Sequence, residues 1–373
     1  MSAICLIGQE DYESWLKEQQ EALLQMSESQ NRYLESISNQ YDDFIAEENR
    51  LYENFKSAVE NKWDEFKSSS SKIYVDYDND LNARGSIDFE NGVVEVEVII
   101  DDEPNMTKEE SKRKSDERLQ NKLTDMVTKK AEDNKPLLEN QLIDSDGRKV
   151  KQSTAESFAK NIVKEEIIEQ QRFKAKNGKK KIKYSVRVIM QSDHIITRAE
   201  RFKNSVIQQS NRFNIDPAIA LAIMHTESSF NPKARSHIPA YGLMQLVPKS
   251  GARDAYFYVY NKDRLLEDTY LYVPKNNIEL GCAFIAKIRH DYFKNIKDEK
   301  SAYICTISAY NTGVGNVAKT LIGKSKINDA AMKANTMNPD KLFNTLKTNL
   351  PYEETRKYLT KVTERIDFYR SWI

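Results

Sequence analysis

Glu227 closes the segment DPAIALAIMHTE (216–227), in which seven successive apolar residues, Ala218 to Met224, lead up to it. Asp216 is a good helix N-cap and Pro217 suits the first helical position. Asn231-Pro232 bars continuation, so the predicted helix ends at about residue 228. A helix this apolar on every side must be buried. Its terminal carboxyl then meets two influences of the same sign. Burial disfavours the charged form, and so does the negative end of the helix dipole. Both raise the pKa, which suits a general acid working near neutral pH. The blander alternative is a helix-end Glu turned to solvent, and structural networks also perturb carboxyls.

Several other residues share a pattern with Glu227. Ser236 lies nine positions beyond it, and Gly242-Leu243-Met244-Gln245 ends eighteen positions beyond it. Ala309-Tyr310-Asn311 precedes a Gly-x-Gly loop at Gly313 and Gly315, and PYEETRKY (351–358) opens a last helix. The Glu-Ser pair, the Gly-Leu-Met-Gln run, the Ala-Tyr-Asn triplet and the late Glu-Thr-Arg…Tyr element together resemble the lytic transglycosylases of the soluble-lytic-transglycosylase (SLT) type. ARSHIPAYGLMQLVP and the upstream DFENGVVEVEVI are similar to the membrane-bound, type-C branch of these murein enzymes, and the likeness runs over roughly residues 51–373.

The resemblance implies a lysozyme-like catalytic domain that acts on peptidoglycan glycan strands. It implies non-hydrolytic cleavage between N-acetylmuramic acid and N-acetylglucosamine, giving 1,6-anhydromuramic ends, with Glu227 as both acid and base. Ordinary glycosidases use two carboxyls. The motif residues around Glu227 supply no second one, and Asp216 lies about 16 Å back along the helix at ~1.5 Å per residue. Ser236 and Gln245 offer neutral hydrogen bonds to acetamido groups, while Met244 and Tyr310 offer apolar faces to sugar rings. Asn311, Glu354 and Tyr358 match substrate-side family positions. For Met244 and Tyr310 the competing reading is core packing. No cofactor or metal is implied. A goose-type lysozyme-like hydrolase and a non-catalytic wall-binding protein are the alternatives.

The elements that must position these residues fall into a mainly α chain with an α+β segment before the catalytic domain. Residues 1–67 read as an acidic helical extension, 68–190 as an α+β N-terminal domain and 191–373 as the all-α catalytic domain. Leu34, Ile37, Tyr41, Phe44, Tyr52, Phe55, Val59 and Phe66 follow three-and-four spacing, so this extension is helical. It packs on its own protein or serves as an arm for a cell-envelope partner. Val94, Val96 and Val98 alternate with Glu95 and Glu97, which predicts a strand with one wet face. Asn91-Gly92 predicts a type I′ hairpin. Residues 107–135 and 153–173 read as helices, and Ile182 to Val188 as a strand. Candidate helices follow at 193–213, 217–228, 276–293, 300–311, 338–348 and 352–371. The spacing of Asp76, Asp78 and Asp80 fails as a calcium loop, because Leu81 and Ile87 stand where Gly and Glu are needed. They read as turn residues.

Lys+Arg and Asp+Glu balance at 57 each, so no global field attracts nucleic acid. The basic run from Arg172 to Arg187 reads as a solvated hairpin, with contact to the anionic wall or lipid headgroups as the lesser reading. Cys5, Cys282 and Cys305 form no metal spacing, and the last two read as buried small hydrophobes. The implied location is the periplasm or cell envelope, with outer-membrane association if Cys5 carries a lipid. No basic leader with a long apolar run precedes it, and bulky Ile4 stands where a small residue is expected.

Overall fold

The computed structural model describes residues 35–237 and 239–373, with Lys17 and Arg32 besides. Cys5 and the apolar run at residues 3–7 lie outside the described residues. The chain divides into two compact units, residues 1–56 and 57–373. In the first, residues 35–56 are helical, as the three-and-four spacing predicts.

The second unit begins ten residues earlier than the predicted end of the extension. Val59 and Trp63 are buried against Ile99, with Phe66 and Tyr77 beside them, so the apolar positions after residue 56 cover a sheet. Five antiparallel strands make that sheet: β1 (Ile73–Tyr77), β2 (Ala83–Asp88), β3 (Val93–Asp101), β4 (Glu169–Lys174) and β5 (Lys180–Ile189), in the order β1-β2-β3-β5-β4. Val94, Val96, Val98 and Ile100 pair with Val188, Val186, Tyr184 and Ile182. This face packs on α1 (Lys108–Thr128) and α2 (Ala155–Glu165) through Leu119, Leu123, Met126, Phe158 and Ala159.

Four local expectations are corrected. The second face of β3 is not wet: Glu97 is buried, gripped by Arg84 through Nε at 2.6 Å and Nη2 at 3.0 Å, with Lys67 at 2.7 Å. Burial of a charge pair of this kind demands full pairing, and Arg84 obtains more of it from the Glu65 carbonyl and the Trp63 ring. The β2–β3 connection is a four-residue loop rather than a two-residue type I′ turn, because Asp88 pairs with Val93. Asp88 Oδ1 accepts from the amides of Glu90 and Asn91, an Asx cap that uses the aspartate the hairpin rule ignores. The predicted helix 153–173 stops at Glu165, and its last residues form edge strand β4. The basic run is indeed the β4–β5 hairpin, although Lys181 and Lys183 are paired with Asp101 and Asp64. Asp78 caps a turn, whereas Asp76 lies in β1 and takes salt bridges from Lys122 and Lys129.

From His194 onward the chain is helical: α3 (His194–Arg212), α4 (Pro217–Ser228), α5 (Arg253–Tyr260), α6 (Asp268–Leu271), α7 (Pro274–Ala286), α8 (Glu299–Thr312), α9 (Val314–Ile322), α10 (Ile327–Ala334), α11 (Pro339–Asn349) and α12 (Glu353–Trp372). The predicted helix 276–293 changes to π geometry after Ala286. Short helices α5, α9 and α10 were not expected from the sequence. Segments of eight or nine residues gain their stability from packing rather than from propensity. Helix α4 runs through the centre of this core, with Ala218 to Met224 at 2% exposure or less, and packs on α3, α7 and α12.

Candidate active site

Helix α4 starts as expected, with Asp216 Oδ1 accepting from the Ala218 amide at 2.8 Å and Pro217 in its first turn. It stops at Ser229 and Phe230, two non-glycine residues with φ of 49° and 62°. Two consecutive left-handed residues without glycine store strain just beyond Glu227. Glu227 itself keeps part of its surface open. Burial of the carboxyl, opposed by the nearby Tyr358 hydroxyl and reinforced by the charge of Glu354, pushes its pKa up to about 8. The Lys72 ammonium pulls weakly the other way. Tyr358 stands close enough for its buried hydroxyl to act on the carboxyl as a hydrogen-bond donor.

The loop carrying the Gly-Leu-Met-Gln run is fastened from below. Arg235 bridges to Tyr241, and Tyr241 to Leu246. Gly242 has φ of 74°, and a Cβ there would stand 2.4 Å from Asn277 Nδ2 and 2.6 Å from the Leu271 carbonyl. Asn277 is fully buried: its Oδ1 accepts from the Met244 amide, and its Nδ2 donates to the Tyr241 and Leu271 carbonyls, each at 2.8 Å. Ser228 Oγ donates to the Leu243 carbonyl at 2.7 Å, which joins the loop to α4 directly after Glu227.

Of the expected site residues, Tyr310, Tyr358 and Glu354 all act electrostatically with Glu227, so the fold gathers them around it. Tyr310 is buried, donates its hydroxyl to the Met244 carbonyl at 2.7 Å and packs on Phe284 with ring centroids 5.3 Å apart. Met244 has no exposed surface, and its sulfur occupies the space that a Cβ on Gly281 would need. Its side chain therefore supports the loop from the core and offers no face to a ligand. Gln245, partly exposed with φ of 48°, donates Nε2 to the Gly242 carbonyl at 3.0 Å. Ser236 Oγ accepts from the Ala240 amide at 3.2 Å, and Asn311 Oδ1 accepts from Thr355 Oγ at 2.7 Å. Glu354 is exposed on the first turn of α12. The motif-only view that no second carboxyl stands near Glu227 is thus corrected: α12, 127 positions downstream, folds back and brings one within electrostatic reach.

Sequence reasoning missed Asn277, although an Asn inside the apolar pattern of α7 is a usable signal. It also missed His225, whose ring nitrogen lies 2.9 Å from the Tyr369 hydroxyl and whose pKa burial pushes down to about 3. His225 is therefore neutral and structural. Among the described residues no cluster of His, Cys, Asp and Glu is arranged to hold a metal.

A family model for the transglycosylase SLT domain matches residues 204–332, and one for the N-terminal domain of membrane-bound lytic murein transglycosylase C matches residues 29–201. Membrane-bound lytic murein transglycosylase C of Klebsiella pneumoniae is 33% identical over 304 residues, covering 80% of this chain and 82% of that protein. The protein of that name from Salmonella arizonae is 32% identical over the same shares. Among solved structures, the 70 kDa soluble lytic transglycosylase of Escherichia coli aligns over 46% of this chain and 24% of that one, at 20% identity and a TM-score of 0.35. The two matched models abut near residue 202, where the α+β layer gives way to the helical core that holds Glu227. The chain belongs to the SLT-type lytic murein transglycosylases, in the membrane-bound type C family.

Proposed function

We propose that this protein cleaves the β-1,4 bond between N-acetylmuramic acid and N-acetylglucosamine in peptidoglycan by the non-hydrolytic route. The observation that carries this reading is the Glu227 carboxyl at the end of a buried helix, where burial pushes its pKa up to about 8 and so favours the protonated form. A protonated carboxyl donates to the glycosidic oxygen as the C1–O bond breaks. The substrate's own acetamido oxygen then stabilises positive C1, and the carboxylate left behind removes the proton of the muramyl 6-hydroxyl. That oxygen closes the 1,6-anhydro ring, and the proton returns to Glu227. A pKa near 8 suits a group that must give and retrieve one proton in each cycle. Ser236, Gln245 and Asn311 serve as polar substrate contacts, Tyr310 as a wall and Tyr358 as a hydroxyl donor beside the acid. Met244 shapes the loop that presents Gln245.

Glu354 favours a second reading, hydrolysis of the same bond, because a nearby carboxylate can act as base for water. Product analysis decides between them. Muropeptides released from purified sacculi are expected to resist borohydride and to be lighter by one water than their hydrolytic counterparts. Newly formed ends that reduce with borohydride would make the enzyme a hydrolase. The relatives' names place them at a membrane and the wall, and we assign this chain to the cell envelope on that basis. Docking of an envelope partner on the N-terminal helix and outer-membrane attachment belong to the same proposal. No described helix is long and apolar enough to cross a membrane.

A further inference from the structure

Arg198, on the second turn of α3, is buried at 3% exposure, and every hydrogen-bond acceptor it meets among the described residues is neutral. Its Nε donates to the Ser229 carbonyl at 3.0 Å. One terminal nitrogen donates to Gln141 Oε1 and to His194 Nδ1 at 3.1 Å, and the other to the Phe89 carbonyl. The guanidinium also lies 5.0 Å from the Phe89 ring. A buried cation whose hydrogen bonds all go to neutral groups is costly even with the charge of Asp88 acting on it, and such groups persist where the surrounding structure needs their geometry.

The acceptors come from two domains. Ser229 is the left-handed C-cap of α4, two residues past Glu227, and a cation there also complements the helix dipole. Phe89 belongs to the β2–β3 loop, and Gln141 to the loop between α1 and α2, both in the α+β layer. The same seam is closed by Asn231 Nδ2 on the Ser71 carbonyl at 3.3 Å and by Lys233 on Glu132 at 2.7 Å. Gly92 at the foot of the β2–β3 loop approaches the His194 ring so closely that a Cβ would stand 2.7 Å from Nε2. The loop is therefore seated on α3.

We propose that Arg198 is a positioning residue that locks the strained end of α4, and with it the Glu227 carboxyl, to two loops of the N-terminal domain. The N-terminal domain is then part of the catalytic apparatus rather than an accessory to it. The proposal rests on Glu227 as the acid. Its test has a readout that needs no substrate.

The experiment compares full-length wild type with Arg198→Met, Arg198→Lys and Gln141→Met. The Glu227 carboxyl is followed by 13C NMR titration, and kcat, KM and melting temperature are measured on soluble peptide-bearing glycan oligomers. Removal of a cation would by its field alone raise the Glu227 pKa. Loosening of the helix end admits water and lowers it, so a fall is the signature of lost position. Arg198→Met is expected to move the titration down by at least one pH unit and to reduce kcat at least tenfold, with KM within twofold. Gln141→Met is expected to do the same to a smaller extent, and Arg198→Lys to recover part of the loss. An unchanged or raised titration midpoint, with only the melting temperature reduced, overturns the proposal. If Arg198→Met does not fold, Arg198→Lys and Gln141→Met decide on the same midpoint. A wild type that titrates near 8 but releases no anhydro product would refute the proposed reaction and leave the positioning result standing.

Discussion

At the scale of single residues, Glu227 combines a chemical role with a cost to stability. Its pKa rises from an ordinary 4.5 to about 8 on folding, so between these values the folded protein holds a proton that the unfolded chain releases. Stability must then fall as pH rises through that window, by ~1.4 kcal/mol per pH unit at the limit. Glu227→Gln removes the titration. It is expected to raise the melting temperature at pH 8 and to change it little at pH 4.5, which thermal scans at the two pH values would read. The same substitution removes a group that general acid–base catalysis values at roughly 10²–10⁴-fold, and retention of more than a tenth of wild-type turnover would remove Glu227 from the mechanism. Glu354 supplies a finer test. Its charge helps to keep Glu227 protonated, so Glu354→Gln is expected to shift the alkaline limb of the kcat profile to lower pH. A limb that stays in place would show that Glu354 does not reach the acid. The burial of the helix that carries the carboxyl was legible in the sequence, because seven apolar residues in a row leave it no wet face. The nearness of Glu354 was legible only through the family resemblance, since the return of α12 creates it.

At the scale of elements, the Gly242–Gln245 loop is positioned from the core side by α7 and α8. Gly281 leaves room for Met244, whose sulfur would be 2.1 Å and whose Cβ would be 2.9 Å from an added methyl. Gly281→Ala is therefore expected to cost ~1–3 kcal/mol and to lower activity further than stability alone explains, as the loop shifts. Denaturant melts alongside turnover would show the two effects, and an unchanged turnover would mean that the loop tolerates displacement. Asn277→Ala leaves the Met244 amide and the Leu271 carbonyl without this partner, while the Tyr241 carbonyl keeps the Leu246 amide; it should be more damaging, at ~1–3 kcal/mol for each buried group left unpaired. The sequence announces neither tie. Periodicity identifies buried faces, so α4, α8, α11 and α12 were placed within about two residues, but it is silent on which polar side chain inside such a face joins two elements. The β2–β3 loop shows a different limit: Asn-Gly chemistry was correctly seen as a turn, while the Asx cap of Asp88 set its length. Met244 illustrates a third, because a motif position near a ligand and a buried position beneath it look alike in one dimension.

At the scale of the second unit, two hydrophobic cores meet at a polar seam. One comprises residues between Ala83 and Met190, the other residues between Ala199 and Tyr369. The sequence changes pattern near residue 190, while residues 57–373 form one compact unit. What the pattern could not show is that the seam is made of side chains whose partners lie 57 to 160 positions away, such as Arg198 with Gln141 and Asn231 with Ser71. A fragment of residues 191–373 retains its own apolar core and is expected to fold. It loses the acceptors that Phe89 and Gln141 give to Arg198, the Ser71 carbonyl that holds Asn231, and Asp133 opposite Arg201. Leaving a buried charged group without its partners costs ~3–5 kcal/mol when the site stays dry. Here exposure of the cut face lets water substitute, so the deficit should appear as looseness at the end of α4 more than as unfolding. The fragment is thus expected to give a cooperative melt at a lower temperature, and kcat at least tenfold below the full chain. Adding residues 57–190 in trans should restore part of that activity. A fragment as active as the whole chain would show that α4 needs no help across the seam, while a fragment insoluble from several neighbouring start points would make the α+β layer integral to the helical fold.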